Sequence, residues 1–195
     1  MKETLAKLTT DILNPFLTGF IIIILLAFKG TDNVAEALKW ASISITLSVL
    51  PVLAVVIYLV RRKKLDGFFA NTRGQRTAVY LSAGALAAIG YGLLWYLKAP
   101  GMLVATFAAG LAAIGVFTAV NLFWKLSLHT AFLAGAATIL IIVYGAGAAW
   151  TLLLLPLVAW ARIALKQHSP AQVTAGAVLA AAITVVVFWG YGMVG

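Results

Sequence analysis

Residues 161–176, ARIALKQHSPAQVTAG, bring an arginine, a lysine and a histidine together between two long apolar runs. Arg162 and His168 are six residues apart, a spacing that points to different faces of one continuous helix. The sequence between them predicts a break. Ser169 suits an N-cap, Pro170 the first helical position, and Gln172 the third position of a capping box. A turn between two helices lets Arg162 and His168 converge. A guanidinium, an imidazole and a helix N-terminus facing one point make an anion site.

Two further polar islands carry matching chemistry. Residues 124–129 hold Lys125, Ser127 and His129, and residues 61–76 hold Arg73 and Arg76 behind the cluster Arg61, Arg62, Lys63 and Lys64. That cluster reads as a topology anchor, and Lys125 and Lys166 equally suit snorkelling to headgroups. A single interfacial histidine would carry no message. Both histidines of the chain, with arginines from separate loops, point to a shared functional site, because ionisable groups at membrane depth are costly.

The elements that must position these residues are membrane helices. The mean hydropathy is +1.07 and only 10% of the 195 residues are charged, against roughly a quarter in soluble domains. The expected fold is all-α: a polytopic integral membrane bundle of six to seven helices in the lipid bilayer. The absence of cysteine excludes disulfides and thiolate chemistry. The net charge of +9 is not read as a nucleic-acid footprint, because the cations sit at the ends of apolar runs. Residues 12–28 lack a small-x-small cleavage site and are expected to remain as a helix.

Spans of about 20 apolar residues are predicted in order. Residues 1–11 form an amphipathic lead-in, 12–28 the first span and 29–39 a polar loop. Residues 40–60 form the second span, kinked at Pro51, with polar loop 65–76 beyond the basic cluster. Residues 77–97 and 102–123 are the third and fourth, joined by a turn at 98–101. Residues 130–161 carry no charge, and as one helix would measure about 48 Å against a hydrocarbon core of roughly 30 Å. They must fold back, and Gly145-Ala146-Gly147 is the predicted turn, ending a fifth span at Tyr144 and starting a sixth at Ala148. Residues 171–191 are the seventh. The whole is expected to be a single transmembrane domain, with residues 1–60 as N-terminal helices and 61–195 as the core.

Seven spans put the N-terminus and all three polar islands on one side, with eleven of the 14 Lys and Arg; Lys29, Lys39 and Lys98 lie on the other. The positive-inside rule makes the first side cytoplasmic in a multi-pass protein of the cell membrane.

Arg162, then His168 six later, then a helix, resembles the third motif of the type-2 phosphatidic acid phosphatase superfamily: Ser-Arg, five residues, His, three residues, Asp. Lys125 to His129 resembles the second motif, Pro-Ser-Gly-His, and a two-helix hairpin separates the two, as in that family. The segment with Arg73 and Arg76 stands where the first motif belongs. The resemblance covers residues 65–176. The chain differs at Ala161 for serine, at Leu126 and Leu128 for proline and glycine, in having no lysine seven before either arginine, and at Gln172 for aspartate.

The resemblance implies phosphoryl transfer without metal or cofactor on a membrane lipid substrate, a phosphate or diphosphate headgroup of phosphatidate or polyprenyl type. His168 would be the nucleophile and His129 the general acid and base. Arg162, with Arg73 or Arg76, would bind phosphoryl oxygens, with Ser127 and Lys125 adding contacts. Gln172 would take the aspartate's place beside His168, in competition with its capping role. A non-catalytic lipid-phosphate binder on the same scaffold is the alternative. A transporter is disfavoured, since the polar groups lie at helix ends rather than at mid-membrane.

Overall fold

The computed structural model describes residues 1–65 and 73–194, except for the side chains of Arg73 and Arg76. Nine α-helices are found among the described residues: α1 (Lys2–Ile12), α2 (Pro15–Lys29), α3 (Val34–Leu47), α4 (Val49–Arg61), α5 (Arg73–Tyr96), α6 (Gly101–Asn121), α7 (Leu128–Tyr144), α8 (Leu154–Ala164) and α9 (Pro170–Gly190). A 3-10 segment, Ala146–Leu153, leads into α8. Six helical stretches are long and apolar enough to cross a membrane, counting α1 with α2, α3 with α4, and the 3-10 segment with α8. Helix α7, apolar but 17 residues long, is shorter. The protein is thus a multi-pass helical membrane protein.

The sequence misplaces the breaks within spans in an instructive way. The kink expected at Pro51 falls at Ser48, three residues earlier. Pro51 has no N–H to donate to the Leu47 carbonyl, so the helix stops and restarts with the proline in its first turn, where that donor is not needed. Asn14 and Pro15 divide the first span in the same way: the Leu17 N–H donates to Asn14 Oδ1 at 2.9 Å, an N-cap the Asn-Pro pair could have announced. The loop expected over 29–39 is shorter, because Asn33 caps α3 by accepting from the Glu36 N–H at 2.9 Å.

The turn at Gly145 is where the sequence puts it, with φ +80°. The eight residues after it wind as 3-10 rather than α-helix, a long run for that winding. Its last bonds keep the three-residue spacing, Leu154 N–H to the Thr151 carbonyl. Pro156 again supplies a reason. It cannot bond the Leu152 carbonyl and its ring crowds that oxygen, so the α-helix begins only where the proline can occupy the first turn.

The chain forms two compact units: Met1–Ile22 with Lys125–Gly195, and Ile23–Trp124. In the first, α7 packs along α9, α1 packs on α8, and the 3-10 segment lies against α7. In the second, α5 packs along α6, and α3 and α4 lie against α5. Their interiors hold Ala, Val, Leu and Phe, while Trp95, Tyr96 and Trp189 are more than 60% exposed near helix ends, as suits a membrane interface.

Candidate functional site

The six-residue spacing between Arg162 and His168 is the product of two standard helix ends placed back to back. Helix α8 closes with a Schellman motif. The Gln167 N–H donates to the Arg162 carbonyl at 3.1 Å and the Lys166 N–H to the Ile163 carbonyl at 2.9 Å, with Lys166 at φ +53°. One residue beyond His168, Ser169 is the N-cap of α9. His168 is therefore held between the stop of one helix and the start of the next. Both flanking motifs fix its backbone.

The capping box predicted at Ser169 forms completely. The Gln172 N–H donates to Ser169 Oγ at 3.3 Å, and the Ser169 N–H donates to Gln172 Oε1 at 3.2 Å. His168 Nδ1 lies 3.1 Å from the same Oε1. Capping does not draw Gln172 away from the histidine: the same carbonyl oxygen, with two lone pairs, faces both the Ser169 N–H and His168 Nδ1.

The second island meets this segment through backbone. Ser127 is the N-cap of α7, accepting from the Thr130 N–H at 3.4 Å, and is fully buried. Its own N–H donates to the Gln172 carbonyl at 3.3 Å, and Thr130 Oγ1 donates to the Val173 carbonyl at 2.9 Å. Gly176 permits this approach: a Cβ there would stand 2.8 Å from the Ser127 carbonyl oxygen. Lys125 Nζ donates to the Gln167 carbonyl at 3.0 Å, strapping the loop before α7 to the loop before α9. Lys125 and Ser127 thus have structural bonds where the sequence expects phosphate contacts. Lys125 keeps its charge, and Ser127 keeps its hydroxyl hydrogen.

Three ionisable side chains are buried in this unit. Arg162 is 2% exposed in the last turn of α8, His129 is 2% exposed as the second residue of α7, and His168 is 7% exposed. The sequence points to all three, and to Gln172. It does not single out Thr130 and Gly176, whose signal is a glycine one helical turn beyond Gln172. Arg73 and Arg76 begin α5, in the other unit, and their side chains lie outside the described residues. Among the described residues no group of three or more His, Cys, Asp or Glu side chains is assembled that could hold a metal. In comparisons with known proteins, no family model matches the chain, and no curated protein and no solved structure matches it either.

Proposed function

We propose that this protein is an integral-membrane lipid phosphatase that works through a phosphohistidine. The observation that carries the reading is that a buried guanidinium and a buried imidazole flank one helix-to-helix turn. In a membrane protein a buried arginine is costly and marks a functional site by default. The resemblance to the type-2 phosphatidic acid phosphatases in residues 65–176 supports the same chemistry.

The steps follow from the residues. The Nε2 lone pair of His168 attacks phosphorus, and the bond from phosphorus to the lipid oxygen breaks. His129 gives its proton to that leaving oxygen. His129 then takes a proton from water, whose oxygen attacks phosphorus and releases His168. Arg162 neutralises charge on the phosphoryl oxygens throughout. The site opens to the cytoplasm by the charge distribution of the loops. The chain has no cysteine, so an Asn71→Cys variant should resist an impermeant thiol reagent in intact cells, and ready labelling would reverse that assignment.

A second reading, a lipid-phosphate binder without turnover, is favoured by one observation: the partner of His168 Nδ1 is a neutral amide rather than a carboxylate. Phosphate release from a panel of phosphatidate and polyprenyl diphosphate substrates, measured in detergent with a chelator, separates the two. The phosphatase reading expects release that His168→Ala abolishes, together with an acid-labile phosphoenzyme, and that His129→Ala lowers by about 10²–10⁴. Binding without release supports the second reading. Release that survives His168→Ala removes the phosphohistidine.

A further inference from the structure

We infer that the helix cap at Ser169 selects the tautomer of His168, so that Ser169 is a positioning residue for the imidazole. The tautomer stands on geometry alone; its consequence for catalysis rests on the phosphatase reading.

The orientation of one side-chain amide decides the matter. Either end of the Gln172 amide fits the same outline, and only its hydrogen-bond partners fix which end is which. A backbone N–H can only donate. The Ser169 N–H lies 3.2 Å from the atom that faces it, so that atom must be the oxygen. The same atom lies 3.1 Å from His168 Nδ1, and an amide oxygen can only accept. Nδ1 must therefore carry the proton, and in the neutral ring Nε2 keeps its lone pair. Turning the amide over would set its NH2 against the Ser169 N–H, leaving two donors face to face without an acceptor.

The device arises from the chain's local order. His168 directly precedes the N-cap, and Gln172 occupies the third position of α9, so the box that starts the helix necessarily ends on the residue that holds the ring. Histidine free in water favours the opposite tautomer, with its proton on Nε2. That tautomer presents an N–H where the reaction needs a lone pair, and the cap selects against it.

The backbone at Ser169, φ −80° and ψ +161°, is one that proline adopts. Ser169→Pro therefore removes the deciding N–H while suiting the local conformation. Ser169→Ala keeps that N–H and removes only the hydroxyl cap. The measurement is the 15N spectrum of the full-length, histidine-labelled protein in detergent, at a pH where the rings are neutral. The chain has two histidines, and a His129→Gln variant assigns them. The expected result is pyridine-like Nε2 and pyrrole-like Nδ1 for His168 in the wild type and in Ser169→Ala, with the two signals exchanging character in Ser169→Pro. Where Ser169→Pro does not fold, a second pair decides. Gln172→Met should lose the Nδ1–H form, and Gln172→Glu, whose carboxylate accepts from both donors, should keep it. A wild-type ring protonated on Nε2, or a tautomer indifferent to both Ser169→Pro and Gln172→Met, would overturn the inference. Phosphate release should fall at least tenfold in whichever variant shifts the tautomer. A shifted tautomer with unchanged release keeps the selector and removes His168 as the nucleophile.

Discussion

Helix pairs α7–α9 and α5–α6 are each the principal contact of their unit, and each closes around a glycine. A Cβ at Gly176 of α9 would meet the Ser127 backbone oxygen at 2.8 Å, while one at Gly90 of α5 would meet the rim of the Phe107 ring at 2.7 Å and a backbone oxygen, that of Leu47, only at 3.3 Å. The distances are nearly equal, but the neighbours differ in stiffness. A ring edge can swing; a backbone already bonded to Gln172 and Ala131 cannot move without dismantling two helix starts. The polar contacts differ in the same direction. Thr130 Oγ1 reaches a backbone carbonyl of α9 at 2.9 Å, whereas in the other pair Asn121 Nδ2 reaches the Thr77 hydroxyl at 3.3 Å. Rigidity is concentrated where the two histidine-bearing segments meet.

The comparison breaks most readily at Gly176. Gly176→Ala should cost about 3 kcal/mol, the upper end for overpacking, since the obstructing atom is backbone. Thermal unfolding in detergent should show it, and on the phosphatase reading phosphate release should be lost with it. Thr130→Val comes next. It removes the bond to the Val173 carbonyl at constant volume and should cost about 1.5 kcal/mol, high within the range for interhelical bonds in membranes. Gly90→Ala should cost only about 1 kcal/mol, because the Phe107 ring yields. On the same reading phosphate release should be retained, and equal losses of stability at Gly90 and Gly176 would remove the contrast in stiffness.

The smallest effect tests whether the contrast lies in the helix contacts or in the turns. Lys166 and Lys98 both occupy the left-handed position after a helix, φ +53° and +56°. There a lysine gives up about 1 kcal/mol of backbone strain and recovers part through its charge at the helix C-terminus. Lys166→Gly and Lys98→Gly should each raise stability by about 0.5 kcal/mol, and by the same amount, in chemical denaturation.

Much of this is legible in the sequence because it depends on short-range rules. Apolar run length gives the spans, a fold-back is forced on residues 130–161, and Ser169, Pro170 and Gln172 announce a cap that forms. The features that escape depend on how a neighbouring segment or a carbonyl one turn away responds. Pro51 is visible, but the break it causes falls at Ser48, because the proline is accommodated by restarting the helix upstream. Gln172 is divided between two uses in the sequence, which does not show that one oxygen faces both the Ser169 N–H and His168 Nδ1. Gly176 is one small residue among many until the fold lays Ser127 over it.

The 3-10 winding of Ala146–Leu153 has a consequence for the far end of its span. Eight residues rising about 2.0 Å each, rather than 1.5 Å, lengthen the segment by roughly 4 Å. Each also turns by about 120° instead of 100°, so the accumulated difference is roughly 160°. Measured from the Gly145 turn, the segment acts as a threaded spacer. It lets 19 residues cover close to a full hydrocarbon thickness. It also advances Arg162 toward the membrane surface and swings it almost half a revolution from where a uniform α-helix would aim it. The depth and the bearing of the buried guanidinium are thus set upstream in the span, by a glycine 17 residues and a proline six residues before it.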